Sequence, residues 1–338
     1  MRRLFLRWEI VLALLLVLEI AVFGLINPRF LNVSSLLFGT ADFVQIGMVA
    51  VPLTLVIIAG GIDVSFGSTI GLTAIIFGLA LHFGAPLGLA VLASLAVGGF
   101  TGLFNATIIR VTRLQPLVVT LGALYLYSGA ATVLSGLAGA SGYEGIGNFP
   151  ASFTALGYQQ VLGLPLSLVI FLGLAAVMIF LLHATRFGRA LFLIGLSENA
   201  ARHSGLPVGR MQALTYVLLG LFAAMAGLML SAYFGSARVD LGTTTLLPAI
   251  TATVLGGASI YGGKGSVLGT VLATFLIGYL QQGLQMSGVP SQISSALSGA
   301  LLVIVVAARF GSEKLRGELL WQRLFGRAPA ALAPAHKN

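Results

Sequence analysis

The residues best suited to chemistry lie in a short polar break between two long apolar runs. Residues 58–68 read IAGGIDVSFGS and contain a glycine pair, one carboxylate and two serines. A carboxylate between a glycine turn and an apolar run can cap the next helix by accepting hydrogen bonds from its first amides. We therefore predict a helix break at Gly60, Gly61, Asp63 and Ser65, in which Asp63 accepts from amides around Phe66 and Gly67.

A second break repeats this turn chemistry. Residues 256–266 read GGASIYGGKGS, and the break is assigned to Gly256, Gly257 and Lys264. The segment lacks the spacing of a phosphate-binding loop, because Ala258 stands at the first glycine position and Gly265 follows the lysine. Both breaks fall on the same side of the membrane, which does not support an inverted repeat.

Polar side chains inside the apolar runs are candidates for a transport pathway. They carry hydroxyl, amide or aromatic groups and are Gln45, Asn105, Thr120, Tyr125 and Gln282. Such groups can pass a neutral polyol, whereas ion coupling generally requires carboxylates near the midplane, of which this chain has few. Glu19 is more readily explained by pairing with a neighbouring helix or subunit. The sequence favours a passive pathway for a neutral substrate, driven by another component.

One inner loop has the pattern of a docking segment. Ser197 as N-cap and Gly205 as terminator predict a short helix, with Glu198 and Arg202 paired at i, i+4. We predict that this loop couples to a partner through a set of six residues. They are Arg189, Gly195, Glu198, Asn199, Arg202 and Gly205. An ordinary solvated connection between two helices is the alternative.

The composition excludes a water-soluble globule. Hydrophobic residues make up 58% and charged residues 8% of the 338 residues, and cysteine is absent. The sequence has no pattern typical of a catalytic site, a metal site or a cofactor site, so we predict a chain that is not an enzyme and binds neither metal nor cofactor. The net charge of +9 is explained by membrane topology, and nucleic acid is not expected as a partner.

The elements that must position these residues are transmembrane helices, since a span needs about 20 apolar residues. We predict an all-α integral membrane protein with about ten spans and both termini in the cytoplasm. Residues 1–309 form the membrane domain and residues 310–338 a basic cytoplasmic tail. The ten spans are 8–26, 42–59, 66–82, 86–109, 116–139, 164–183, 211–232, 245–260, 265–284 and 291–309.

The distribution of basic residues supports this topology. Of the 18 Lys and Arg residues, only Arg29 and Arg238 fall in outer loops, in agreement with the positive-inside rule.

Four ordered motifs in this sequence resemble the membrane permeases of ribose-type ABC sugar importers. The motifs are GGIDVSxGS at 60–68, QPLVVTLG at 115–122, FGR at 187–189 with AAxxSG at 200–205, and VLGGxSxxGGKG at 254–265. Within this family the resemblance is greatest to one branch, on the residues at 141–147, 233–238 and 279–286. Leu246, Pro248 and Ser197 depart from the ribose-type pattern, and the first two argue against ribose itself.

The resemblance also implies the partner subunits and the class of substrate. It implies a bacterial inner-membrane permease that works with a sister permease, two cytoplasmic ATPase subunits that use ATP, and a periplasmic substrate-binding protein. The implied substrate is a small polyhydroxylated furanose-like molecule. Three alternatives remain: a permease for another pentose or furanose sugar, a stand-alone facilitator, and a scaffold subunit whose sister lines the pathway.

Overall fold

The computed structural model describes residues 2–140 and 144–290, with side chains from Trp8 onward, and seven single positions between 293 and 304. The predicted tenth span at 291–309 lies outside the described residues except at those positions. The predicted tail at 310–338 lies outside them entirely.

Nearly all regular structure in the described ranges is helical. In chain order the α-helices are α1 (Arg2–Ile26), α2 (Val33–Gly39), α3 (Val44–Ile58), α4 (Phe66–His82), α5 (Leu87–Thr112), α6 (Pro116–Gly136), α7 (Ala151–Thr154), α8 (Leu166–Ala184), α9 (Arg186–Leu196), α10 (Glu198–His203), α11 (Val208–Phe234), α12 (Leu246–Leu255) and α13 (Val267–Met286). Short 3-10 helices cover Pro28–Leu31, Thr40–Asp42 and Ala155–Gly157.

A small hairpin departs from the predicted all-α class. Strands β1 (Gln160–Val161) and β2 (Leu164–Pro165) pair antiparallel, with Val161 opposite Leu164. An isolated antiparallel bridge also joins Ile146 to Ala237. Both features belong to the connections between helices and leave the helical architecture unchanged.

Six helices in the described part of the chain are long and apolar enough to cross a membrane. They are α1 from Trp8 onward, α5, α6, α8, α11 and α13. A seventh candidate is the bent pair of Val33–Asp42 and Val44–Ile58, which meet at 59°. Helices α4 and α12 are apolar but shorter. The predicted span at 245–260 is therefore too long: α12 ends at Leu255, where Gly256 and Gly257 form a turn and Gly257 adopts a φ of 114°.

Helix α3 lies at the centre of the molecule. Fourteen of its 15 residues are buried, and α8, α11, α12 and α13 pack around it. A helix that is apolar on all sides is buried either in lipid or among other protein elements, and here other helices bury it. The core therefore positions the end of α3, where the first glycine break begins.

Helices α5 and α11 approach closely through small residues. A Cβ atom on Gly98 would collide with the carbonyl oxygen of Gly220, and one on Gly102 would collide with the carbonyl of Tyr216. Small residues let helix backbones meet in a membrane. Gly98 and Gly102, spaced four residues apart, therefore let α5 and α11 come into backbone contact.

Candidate functional site

The first break is organised around the buried side chain of Asp63, which is 3% exposed. The chain leaves α3 through Gly60, which has a φ of 80°. One carboxylate oxygen of Asp63 then accepts hydrogen bonds from the amide and the hydroxyl of Ser65, both at 2.7 Å. The Phe66 amide contributes a further bond. Asp63 thus accepts mainly from Ser65, the N-cap residue of α4. The sequence had predicted donors slightly later in the chain, around Phe66 and Gly67.

Asp63 belongs to a buried polar network, which we call the Asp63 network. The side-chain amide of Asn105 donates to Asp63 Oδ2 at 3.2 Å and to Ser65 Oγ at 2.8 Å. The hydroxyl of Tyr127 donates to Asn105 Oδ1 at 2.8 Å and to the Thr101 carbonyl at 3.1 Å. The network therefore joins the break to α5 and α6.

Two further hydroxyls hold the backbone of the break. The side chains of Thr120 on α6 and Tyr216 on α11 each donate to the carbonyl oxygen of Ile62 at 3.4 Å. Side chains from three helices, α5, α6 and α11, thereby hold the backbone and side chains of residues 62–65. The sequence analysis did not single out Tyr127 or Tyr216, because nothing local to either residue indicates a partner so far away in the chain.

The two breaks and the end of α9 meet at one place, which we call the glycine junction (Ile58, Gly60, Gly195, Gly262 and Gly263). The amide of Gly263 donates to the carbonyl of Ile58, the last residue of α3, at 2.9 Å. A Cβ atom on Gly195 would overlap both of these groups. Three backbone segments therefore touch with no side chain between them.

The N-terminal helix is tied to the second break beside this junction. The indole of Trp8 donates to the carbonyl of Leu255 at 2.8 Å. The hydroxyl of Ser266, the N-cap residue of α13, donates to the carboxylate of Glu9. Helix α1 thus connects the C-terminal end of α12 to the N-terminal end of α13.

The predicted short helix in the inner loop is present as α10. Ser197 is its N-cap and accepts a hydrogen bond from the amide of Ala200 at 3.3 Å. Glu198 and Arg202 form an ion pair at 2.6 Å, with side chains 49% and 65% exposed. Gly205 follows with a φ of 79°. The ion pair is accessible to a partner, and Arg189 lies exposed on α9.

A cavity of about 830 Å³ opens beside α10. Its walls come from the end of α3, the connection between α5 and α6, α10 and the start of α11. Its charged lining residues are Arg110, Arg113, Arg202, Arg210 and Glu198. We call it the arginine cavity; it extends to Gly60, Gly61 and Tyr216 at the first break.

The structure does not bring the five candidate pathway residues together. Asn105 and Thr120 lie buried at the Asp63 network. The side chain of Gln45 donates to the Asp42 carbonyl at 2.6 Å, and that of Gln282 donates to the Ser35 carbonyl at 3.2 Å. Tyr125 is 76% exposed on α6. Within this chain, then, only Asn105 and Thr120 lie together, at the first break, and the other three residues occupy separate places.

An ion pair stabilises the connection between α11 and α12. The guanidinium of Arg238 donates to both carboxylate oxygens of Asp240, at 2.9 and 2.6 Å. These hydrogen bonds lower the pKa of Asp240 below its usual value. The neighbouring Ala237 is bridged to Ile146. The pair thus stiffens the loop after the C-terminal end of α11. The arginine cavity lies at the other end of this helix.

Comparison with known proteins identifies the family. The family model described as branched-chain amino acid transport system / permease component matches residues 35–306. The autoinducer 2 import system permease protein LsrD of Enterobacter sp. (strain 638) is 59% identical over 304 residues, which is 90% of this chain and 93% of that protein. The LsrD protein of Escherichia coli (strain K12) is 56% identical over 302 residues, covering 89% of this chain and 92% of that protein.

A solved structure shows the same fold. The inward-facing conformation of a metal-chelate type ABC transporter aligns with a TM-score of 0.50 and 16% identity, covering 90% of this chain and 99% of that one. At this level of identity the likeness concerns the fold alone.

The fold and the matches define the class: an ABC-transporter permease. The chain belongs to the family of transport-system permease components, and it is the multi-pass inner-membrane permease component of an ABC importer. Permeases of this class work with ATPase and other subunits. The resemblance predicted from the four motifs is confirmed, and the branch indicated by residues 141–147, 233–238 and 279–286 is that of the autoinducer-2 permeases.

Proposed function

We propose that this chain forms half of a heterodimeric permease that passes autoinducer-2, a small polyhydroxylated furanose-like signal, into the cytoplasm. The observation that carries the proposal is the 59% identity to an autoinducer-2 permease along 90% of the chain. The other half is a sister permease. Two cytoplasmic ATPase subunits use the ATP, and a periplasmic binding protein delivers the substrate. This chain is non-catalytic and binds no cofactor of its own.

The proposed topology has ten spans with both termini in the cytoplasm. The shorter helices α4 and α12 complete this count together with α3 and the segment at 291–309. Short helices are tolerated at membrane depth when they are buried in protein. Placing the arginine-rich loops in the cytoplasm satisfies the positive-inside rule.

The proposed coupling element is α9 with α10. Arg189, Glu198, Asn199 and Arg202 face outward, where an ATPase surface can contact them, and Gly205 ends the segment. Gly195 touches the end of α3 and the second break directly. Because close-packed backbones transmit displacement with little give, movement of α9 would shift the ends of α3 and α12 together.

The proposed pathway runs along the exposed face of α6, between this chain and its sister. Tyr125 presents an aromatic face and a hydroxyl there, which suit a polyol. Asn105 supports the break through the Asp63 network, and Thr120 supports it by donating to the carbonyl of Ile62. This arrangement assigns substrate contact to Tyr125 and structural support to the other two residues.

A co-purification experiment tests the coupling proposal. The chain is expressed with its ATPase and sister permease subunits, and the double variant Glu198→Ala, Arg202→Ala is compared with Arg238→Ala, Asp240→Ala. The control removes an ion pair of the same 2.6 Å length at the opposite end of α11. We expect loss of the ATPase, with the sister retained, in the first variant only. Equal ATPase recovery from both variants would contradict the docking assignment.

Transport by the reconstituted complex tests the substrate. We expect uptake of autoinducer-2 that requires ATP and the binding protein, with weaker uptake of ribose and other pentoses. Preference for another furanose would support the alternative sugar permease. Uptake by the permease without any ATPase would instead indicate a facilitator.

A further inference from the structure

The arginine cavity carries an excess of positive charge. Four arginines and one glutamate line it, and the glutamate is already paired with Arg202. In the described part of the chain, the side chains of Arg110, Arg113 and Arg210 have neither an ion pair nor a hydrogen bond. Because like charges repel across a concave surface, such a cluster is stabilised by an anion.

Arg113 holds an unusual backbone conformation at the cavity rim. It ends α5 with a φ of 56° and a ψ of 22°, in the left-handed region. Helices usually place glycine there, because a side chain costs about 1 kcal/mol or more in this conformation. A helix stop alone would favour glycine, so the arginine side chain has a use that offsets this cost.

The size and the walls of the cavity indicate the kind of anion. Its volume of about 830 Å³ lies within the range of small-molecule sites. The planar guanidinium group of arginine can donate two parallel hydrogen bonds to two oxygens of one phosphate. Ile109, Leu114 and Val208 add apolar wall beside the arginines, and basic pockets between membrane helices can hold phospholipid headgroups.

We propose that the arginine cavity binds a phosphate group, carried either by a soluble organophosphate or by the headgroup of an anionic phospholipid. The bound phosphate would bridge the α5–α6 connection, α10 and α11. It would therefore lie between the coupling helix and the first break. The assignment of this site to the cytoplasm rests on the topology proposed above. The binding of phosphate does not depend on that topology.

An acidic segment of the ATPase is the competing occupant. The cavity is open at its mouth, where the arginines are exposed, and reaches inward to Gly60 and Tyr216; this depth favours a small ligand over a flat protein surface. The main test uses the full chain without ATPase, so that its failure is separate from failure of the docking proposal.

Binding is measured on the full-length chain in nanodiscs of zwitterionic lipid, from the melting temperature and its dependence on ligand concentration. One arm adds glycerol 3-phosphate, and the other incorporates phosphatidylglycerol and detects retained lipid by native mass spectrometry. The test variants are Arg113→Gly and Arg110→Gln. The control, Arg186→Gln, removes a positive charge outside the cavity. Arg113→Gly relieves the left-handed backbone, so its melting temperature without ligand should not fall.

We expect wild type and Arg186→Gln to bind alike, and each cavity variant to bind about tenfold more weakly. A response to glycerol 3-phosphate identifies a soluble ligand, and a response to phosphatidylglycerol alone identifies a lipid headgroup. The proposal is overturned if neither probe stabilises the wild type, or if Arg113→Gly responds as the wild type does.

Maleimide labelling of a Leu114→Cys variant, which lies in the cavity wall and keeps all four arginines, tests the competing occupant. We expect either phosphate probe to slow the labelling of the introduced thiol. The proposal is also overturned if the purified ATPase subunit protects this thiol and neither phosphate probe does.

Discussion

At the scale of single residues, Asp63 is a buried carboxylate whose stability depends on its hydrogen bonds. A carboxylate buried to 3% exposure is costly unless hydrogen bonds compensate it. Ser65 and Asn105 supply those bonds, and Tyr127 orients Asn105 in turn. Asp63 therefore acts as the acceptor around which the break folds.

Removing the Asp63 carboxylate should destabilise the protein. In Asp63→Ala the amide and hydroxyl of Ser65 lose their acceptor, and the Asn105 amide keeps only its bond to Ser65 Oγ. Each buried unsatisfied group costs about 1–3 kcal/mol. We expect the free energy of unfolding in a denaturing detergent titration to fall by about 3 kcal/mol. Asn105→Ala and the double variant complete the cycle. If the two single effects simply add, the residues do not share one network.

Glu19 presents the opposite case. Both of its carboxylate oxygens are buried within α1 without a hydrogen-bond partner, and the predicted pairing with a neighbouring helix is not seen in the described residues. Because an unpartnered carboxyl group inside a membrane protein is costly, Glu19→Gln should raise the melting temperature of the isolated chain. A lower melting temperature of the assembled complex would point to pairing with the sister subunit.

At the scale of elements, the glycine junction determines how α9 can act. The end of α9 contacts α3 and the second break through backbone atoms alone. Any side chain placed there must separate the three segments. Under the proposed docking of an ATPase on α10, substitutions at this contact should affect coupling, and substitutions on the outer face of α10 should affect docking.

Gly195→Ala should uncouple the importer. The added methyl group overlaps the Ile58 carbonyl and the Gly263 amide, so α9 has to move away. The matched control is Gly173→Ala on α8, where a Cβ atom meets nothing within 4 Å and alanine favours the helix. We expect at least tenfold lower transport in Gly195→Ala, equivalent to about 1.4 kcal/mol, with ATPase binding retained. Similar transport by the two variants would show that the contact is dispensable.

The Arg238–Asp240 pair should make a pH-dependent contribution to stability. Because the hydrogen bonds from Arg238 lower the pKa of folded Asp240, the pair stabilises the protein above the usual aspartate pKa. That contribution is lost as the pH falls through the lowered pKa. The melting-temperature advantage of wild type over Arg238→Gln should thus be full near neutral pH and vanish in acid. A constant difference across the range would assign the effect of Arg238 to its contact with Phe234.

At the scale of the whole molecule, the distribution of basic residues predicts the orientation in the membrane. The predicted cytoplasmic side carries nearly all the basic residues, and the arginine cavity lies among them. Because the chain contains no cysteine, single cysteines report this orientation without background. We expect an impermeant maleimide to label Gln159→Cys in right-side-out vesicles and Arg186→Cys in inside-out vesicles. The reverse pattern would invert the topology.

The sequence predicted local features better than distant ones. Helix α10 follows from Ser197 and Gly205, whose hydrogen bonds lie within the segment itself. The two glycine breaks were predicted for the same reason. Their meeting was not, because the Gly263–Ile58 hydrogen bond joins segments far apart in the chain. Tyr127, Tyr216 and the unpaired arginines likewise gain their meaning only when the helices pack.

The backbone character of the glycine junction also has an evolutionary consequence. Since no side chain forms the joint between α9, α3 and the second break, substitutions on the outer faces of α9 and α10 leave it untouched. If α9 and α10 dock the ATPase as proposed, the docking surface can diverge between importers while the glycine junction behind it stays the same. New pairings of permease and ATPase would then arise without changes to that junction.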